Sequence, residues 1–126
     1  MSKPKKIFIV DDDKMLAMML RDHLSAKTPH EFHLFSTGEE CLKHLSEKPD
    51  LIILDYYLDS EMKHVANGMA ILEAIKKQNR QIPVVMLSGQ ESYGIAAQTI
   101  AKGAAHYVLK GKGSFTEIED IISHLK

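Results

Sequence analysis

Three aspartates in a row, Asp11, Asp12 and Asp13, follow an apolar run near the start of the chain. Carboxylates this close raise one another's pKa, so the arrangement is unfavourable unless a positive group lies among them. Carboxylate oxygens are preferred ligands of Mg²⁺, which keeps several waters and takes further ligands from phosphate groups. We therefore predict that these acids hold a divalent cation that could also neutralise a phosphoryl group.

Further polar residues stand at the ends of three other apolar runs, where Asp55 follows LIIL, Ser88 follows VVML and Lys110 follows HYVL. A carboxylate can act as a nucleophile and form an aspartyl phosphate, and Asp55 is the candidate because it stands alone after its run. Lys110 would balance charge on the phosphoryl oxygens, and the Ser88 hydroxyl would donate a hydrogen bond to one of them. Taken singly, these residues have ordinary explanations as helix caps or loop residues. Their combination favours a phosphoryl-transfer site.

Short apolar runs with β-branched residues alternate with longer segments of helical period, which is typical of βα units around a parallel sheet. The predicted strands are Ile7–Val10, Glu31–Phe35, Leu51–Leu54, Val84–Leu87 and His106–Leu109. Continuously apolar strands are expected where helices cover both faces, so we predict a doubly wound α/β sheet. Ligands bind such sheets beyond the carboxyl ends of the strands, where the polar residues stand.

Two side-chain assignments follow from the helical segments. The first predicted helix carries Leu16, Leu20 and Leu24 at four-residue steps, and its methionines Met15 and Met19 are predicted to fill the core. Cys41, the single cysteine, is predicted to be buried packing rather than a nucleophile.

Length and composition predict one domain over residues 1–126. The formal charge is −1, from 16 Lys+Arg against 17 Asp+Glu, so neither nucleic acid nor an anionic membrane is an expected partner. No apolar run approaches the roughly 18 residues of a membrane helix. One cysteine cannot form an internal disulfide. These features predict a protein of the reducing cytoplasm.

The segments IFIVDDD, LIILDYYL, VVMLSG and GAAHYVLKG, in this order across nearly the whole chain, resemble the receiver domain of two-component response regulators. The resemblance implies a flavodoxin-like fold with five parallel strands in the order 2-1-3-4-5. It implies Mg²⁺-dependent phosphorylation of Asp55 by a sensor histidine kinase or a histidine phosphotransfer protein. Asp12 would bind the metal directly, Asp11 would assist partly through water, and Tyr57 would add its backbone carbonyl.

The resemblance also implies how the signal leaves the site. Ser88 and Tyr107 match the family's switch pair, in which the hydroxyl moves towards the phosphoryl group and the aromatic ring turns inward. The signal would change the surface built by the fourth helix, fifth strand and fifth helix. A downstream effector protein, or an output domain outside these residues, would read that surface. The protein would not be an enzyme in the ordinary sense, because it would catalyse only its own phosphorylation and dephosphorylation.

The sequence departs from the family in two places. After Asp55, Asp59 occupies the usual proline position and the next glycine is delayed to Gly68, so the loop over 58–67 is longer than usual. This loop is either a tolerated insertion or a contributor to partner recognition or metal affinity. Lys110 is followed by Gly111, where the family usually has a proline after a cis bond. A cis bond before a non-proline residue costs roughly 2.5–4 kcal/mol, so we predict a trans bond with Gly111 absorbing the altered backbone.

Two rival functions stay open at this point. Gly111 and the long loop favour a pseudo-receiver, an interaction module that is never phosphorylated. The intact site residues argue against it; these are Asp11, Asp12, Asp55, Ser88 and Lys110. A small metal-dependent phosphohydrolase with Asp55 as nucleophile would need a second acid as general base and a substrate pocket, for which one small domain offers little room.

Overall fold

Five parallel strands form one sheet in the computed structural model, which describes residues 4–56, 68–89 and 93–125. The strands are β1 (Lys6–Val10), β2 (Glu31–Phe35), β3 (Leu51–Asp55), β4 (Val84–Ser88) and β5 (His106–Leu109). Their order is β2-β1-β3-β4-β5, and every neighbouring pair is parallel. The predicted doubly wound, flavodoxin-like α/β fold and its strand order are therefore confirmed.

A helix follows each strand along the chain. The helices are α1 (Lys14–Lys27), α2 (Gly38–Lys43), α3 (Gly68–Gln78), α4 (Tyr93–Ala101) and α5 (Ser114–Ser123), with a short 3-10 helix at Leu45–Glu47. Side-chain caps start the first two, because Asp13 accepts a hydrogen bond from the Leu16 N–H and Thr37 accepts one from the Glu40 N–H, both at 3.1 Å. Among the described residues, no helix has the length and apolar character needed to cross a bilayer.

The side chains of the sheet alternate between two apolar layers. Phe8, Val10, Ile52, Leu54 and Met86 pack with the buried residues of α2 and α3 in one layer. Their chain neighbours pack with α1 and α5 in the other layer; these are Ile7, Ile9, Ile53, Val85, Leu87 and Val108. All residues of β3 and β4 are buried as a result. Burial on both faces explains why these strands are continuously apolar in the sequence.

The methionines of α1 lie at the surface, so the prediction that they fill the core was wrong. Met15 is 72% exposed and Met19 is 54% exposed. The buried residues of α1 are Ala17, Leu20 and Leu24. The small Ala17 side chain packs in the layer that contains α1 and α5, which leaves the methionines on the outer side of the helix. Cys41, in contrast, is fully buried as predicted, and burial raises the pKa of its thiol to about 12.

Candidate functional site

Two central strands bring the predicted acids together at their carboxyl ends. Asp11 directly follows β1 and Asp55 is the last residue of β3, the strand with which β1 pairs. One carboxylate oxygen from each of Asp11, Asp12 and Asp55 lies within 4.8 Å of the others. Asp11 and Asp55 are each only 3% exposed, whereas Asp12 is partly exposed. Within the described parts of the chain, this is the one group of three or more such residues that could hold a metal ion.

Burial disfavours the charged form of the Asp11 carboxylate. Its pKa is raised from 3.8 to about 6, chiefly because burial removes water from the carboxylate and further because Asp55 lies nearby. Two contacts oppose this rise: the Asp13 N–H donates to Asp11 Oδ1 at 2.9 Å, and the Lys110 ammonium is close. The net rise shows that these contacts do not fully compensate the buried charge. A cation bound at this site would favour the charged form of Asp11.

Lys110 extends from the end of β5 to the two buried acids. Its Nζ lies 3.0 Å from Asp55 Oδ1 and 4.0 Å from Asp11 Oδ2. The side chain is 31% exposed, so the ammonium keeps some contact with solvent while it pairs with Asp55. The predicted phosphoacceptor and the predicted charge-balancing lysine are therefore adjacent in the structure.

The backbone after Lys110 has the form that the sequence predicted. The Lys110–Gly111 peptide bond is trans, and Gly111 has a φ of 145°, a conformation that favours glycine. Hydrogen bonds hold the backbone on both sides of this peptide bond. The Lys110 N–H donates to the Ser88 carbonyl at 2.7 Å, and the Gly111 carbonyl accepts from the Ser114 N–H at 3.1 Å. A trans bond thus lets the lysine reach Asp55 without proline at position 111.

Ser88 and Tyr107 lie on neighbouring strands at the same face of the sheet. Ser88 ends β4 and is fully buried, and β4 pairs with β5 so that Met86 lies opposite Tyr107. Tyr107 is half-buried and packs against the layer that contains α2 and α3. Asp55 lies two residues after Ile53, which packs in the layer with α1 and α5. Residues two apart in a strand share a face, so Asp55 belongs to the other face of the sheet. By strand alternation, the predicted switch pair and Asp55 therefore lie on opposite faces of the sheet at this edge.

Gly68, the first residue of α3, lies against the end of β3. Its N–H donates to the Tyr56 carbonyl at 2.9 Å, and a Cβ added to it would lie 2.7 Å from both the Cα and the oxygen of Tyr56. The same Cβ would collide with the carbonyl oxygen of Asp55. The delayed glycine noted in the sequence therefore has a steric role beside the site. Tyr57, Asp59 and the loop over 58–67 lie outside the described residues, so the assignments made to them stay predictions.

Sequence reasoning missed Ser114, which joins the site indirectly. Its hydroxyl donates to the Gly111 carbonyl at 2.9 Å, next to the bond from the Ser114 N–H to the same oxygen. A serine at the start of a helix is typical of a helix cap, and the sequence gives no sign of its contact with the turn.

The family model for the response regulator receiver domain matches residues 7–123. The chain belongs to this family, and it is a receiver domain of the two-component type with an acidic pocket formed by Asp11, Asp12 and Asp55. This is not an enzyme family in the ordinary sense.

Individual relatives agree with this assignment. The transcriptional regulatory protein CitT of Halalkalibacterium halodurans is 32% identical over 120 residues, which cover 87% of this chain and 47% of CitT. The receiver domain of NtrX from Brucella abortus is 27% identical, with a TM-score of 0.78 and 93% coverage of both chains. The Mn²⁺-bound form of response regulator Rcp1 shares the fold, with a TM-score of 0.82 at 24% identity over 98% of this chain and 96% of that one. This chain spans less than half the length of the curated relatives it matches.

Proposed function

We propose that this chain is a phosphorylation-controlled signalling switch whose Asp55 accepts a phosphoryl group from a sensor histidine kinase or a histidine phosphotransfer protein. One observation carries the proposal: Asp55 is buried at the end of β3, 3.0 Å from the Lys110 ammonium and within 4.8 Å of two further acids. A nucleophile, a cation and a set of oxygen ligands therefore meet at one edge of the sheet, where this fold class binds ligands.

The donor set fits Mg²⁺. Three carboxylates supply hard oxygen ligands, and the raised pKa of Asp11 reflects the burial of its carboxylate, which the nearby Lys110 does not fully offset. In the proposal Asp12 would hold the ion directly, Asp11 would contribute partly through water, and Asp55 and the Tyr57 carbonyl would be the remaining protein ligands. The bound ion would supply positive charge that neutralises the phosphoryl oxygens during transfer. The Mn²⁺-bound form of Rcp1 is a case of the same fold with a divalent cation.

The residues of the chain then have separate roles in transfer. A carboxylate oxygen of Asp55 attacks phosphorus, and the bond between phosphorus and the imidazole nitrogen of the donor breaks. Lys110, already within 3.0 Å of the carboxylate, pairs with the phosphoryl oxygens as their charge shifts towards Asp55. The Ser88 hydroxyl donates a hydrogen bond to one of these oxygens. Hydrolysis later returns Asp55 to its free form, so the chain catalyses only its own phosphorylation and dephosphorylation.

The output in this proposal begins at Ser88 and Tyr107. Movement of the Ser88 hydroxyl towards the phosphoryl group leaves space for the Tyr107 ring to turn further into the layer against which it already packs. The surface formed by α4, β5 and α5 would change, and a downstream effector protein or an output domain would read it. We further propose that residues 1–126 act as one receiver domain and that the protein works in the cytoplasm.

Intact mass spectrometry after incubation with Mg²⁺ and acetyl phosphate tests the proposal. Wild-type protein should gain the mass of one phosphoryl group, and a chelator or Asp55→Asn should abolish the gain. Asp50→Asn is the matched control, because the Asp50 side chain accepts from the Lys6 N–H at 2.8 Å, at the opposite end of the sheet. If wild type gains nothing under conditions that label a known receiver, the pseudo-receiver function replaces the proposal. An undiminished gain in Asp55→Asn would place the phosphoryl group elsewhere.

A further inference from the structure

Hydrogen bonds hold the turn after Lys110 at both of its ends. The Lys110 N–H donates to the carbonyl of Ser88 at 2.7 Å, which ties the lysine backbone to the end of β4. Beyond the Lys110–Gly111 bond, the Gly111 carbonyl accepts from Ser114 twice, from its N–H at 3.1 Å and from its hydroxyl at 2.9 Å. Ser114 is only 6% exposed, so water competes little for this oxygen.

Helix capping does not account for the Ser114 hydroxyl. A capping serine accepts a hydrogen bond from an N–H group of the first helical turn. The cap position of α5 is Gly113, which has no side chain that could make a capping hydrogen bond. The Ser114 hydroxyl instead donates backwards, to a carbonyl outside the helix. Its partner is therefore the turn that carries Lys110.

We propose that Ser114 is a positioning residue for Lys110, and this inference rests on the proposed phosphorylation of Asp55. Gly111 and Gly113 both have positive φ, at 145° and 90°, and glycine has more accessible backbone conformations than any other residue. Two glycines leave the turn free to move the lysine unless something fixes it. The Ser114 hydroxyl fixes the Gly111 carbonyl and so keeps the ammonium 3.0 Å from Asp55. Small displacements matter, because misplacement by about 1 Å can cost on the order of 100-fold in rate.

The surroundings of Ser114 allow the hydroxyl to be tested separately from its volume. A cavity of about 380 Å³ lies between α1 and this turn, and Leu16, Ser114 and Phe115 are among its lining residues. Ser114→Thr keeps the hydroxyl and adds one methyl group beside this space. Ser114→Ala removes the hydroxyl, and Ser114→Cys keeps a side chain of similar shape with a weaker donor.

Phosphorylation time courses at several acetyl phosphate concentrations separate the maximal rate from the half-saturating concentration. Ser114→Ala should lower the maximal rate about threefold to tenfold, the effect of one lost hydrogen bond. The half-saturating phosphodonor concentration, and the Mg²⁺ affinity by isothermal titration calorimetry, should not change, because the acids are untouched. Ser114→Thr should restore the rate and Ser114→Cys should lie between. Ser123→Ala is the control, since this hydroxyl donates to the Asp120 carbonyl at 2.6 Å within the same helix.

A double-mutant cycle with Lys110→Ala decides how Ser114 acts. If Ser114 works through the lysine, Ser114→Ala should change the residual rate of Lys110→Ala by less than about twofold. An equal loss in both backgrounds, a parallel fall in Mg²⁺ affinity, or an unchanged maximal rate in Ser114→Ala would overturn the inference. Failure of the proposed function has a different signature, because wild type itself would then remain unphosphorylated, and the inference would fall with it.

Discussion

Replacing Asp11 with asparagine is expected to stabilise the folded protein near neutral pH when no divalent cation is present. The carboxylate is 3% exposed, and burial disfavours its charged form. Asparagine removes the charge and keeps a side-chain oxygen that can accept from the Asp13 N–H, which lies 2.9 Å from Asp11 Oδ1. The buried charge is thus the main difference between the two proteins.

The size and pH dependence of the effect follow from the pKa of Asp11. It rises from 3.8 to about 6 on folding, a shift that corresponds to about 3 kcal/mol at 1.36 kcal/mol per unit. Between these two values the folded state holds a proton that the unfolded state has lost, so the free energy of unfolding of wild type falls as pH rises. The loss is complete above about pH 6, and it is absent below the unfolded pKa. Asp11→Asn should not show this loss.

Urea unfolding followed by circular dichroism, with a chelator present, measures the difference. Asp11→Asn should exceed wild type by about 3 kcal/mol near pH 8, and most of this gap should close near pH 4. Adding Mg²⁺ should narrow the gap near pH 8, because an ion held at the proposed site would stabilise the folded wild type. Asp22→Asn, at a 70% exposed side chain, should change little. A variant no more stable than wild type near pH 8, or a gap of equal size at both pH values, would refute the reasoning.

Three further predictions concern the site and the packing beside it. Lys110→Ala should slow phosphorylation by acetyl phosphate about 10- to 100-fold in the intact-mass assay, because Asp55 loses a charged hydrogen-bond partner at 3.0 Å; a rate equal to wild type would contradict the assigned role. Gly68→Ala should lower the free energy of unfolding in urea by about 1–3 kcal/mol, because the added Cβ meets Tyr56 atoms at 2.7 Å, and an unchanged urea midpoint would show that the chain relaxes without cost. Cys41 should resist a thiol reagent near pH 8 in the native protein and react fully in urea, since burial raises its pKa to about 12; rapid native labelling would mean that α2 opens easily.

The sheet and the place of the site could be predicted because they depend on patterns that the sequence displays directly. The runs LIIL and VVML are apolar at every position, which is expected only where both faces of a strand are covered. Parallel strands end at the same edge, so residues that follow such runs must lie near one another. Asp55 and Ser88 prove to be the last residues of their strands rather than the first beyond them, a difference that leaves their location at the edge unchanged.

Two features depend on tertiary contacts that the sequence does not display. In α1, apolar residues occur around much of the helix, so the pattern alone could not select Ala17 over Met15 for the buried side. Contact with the sheet and α5 makes that choice. The bond from Ser114 to Gly111 depends on the conformation of a turn with two positive-φ glycines, for which no sequence pattern specifies one geometry.

The complete burial of β3 has a consequence for how the molecule moves. A strand without an exposed residue, hydrogen-bonded on both sides, releases its amide protons only when the whole domain opens, so its hydrogen exchange should report global unfolding. Asp55 therefore lies at the end of a rigid strand rather than on a hinge. In the proposed switch, movement at the site therefore has to come from residues around β3, such as the half-buried Tyr107 on β5. A phosphoryl group on Asp55 would therefore act from a fixed point, and the neighbouring residues would have to move in response.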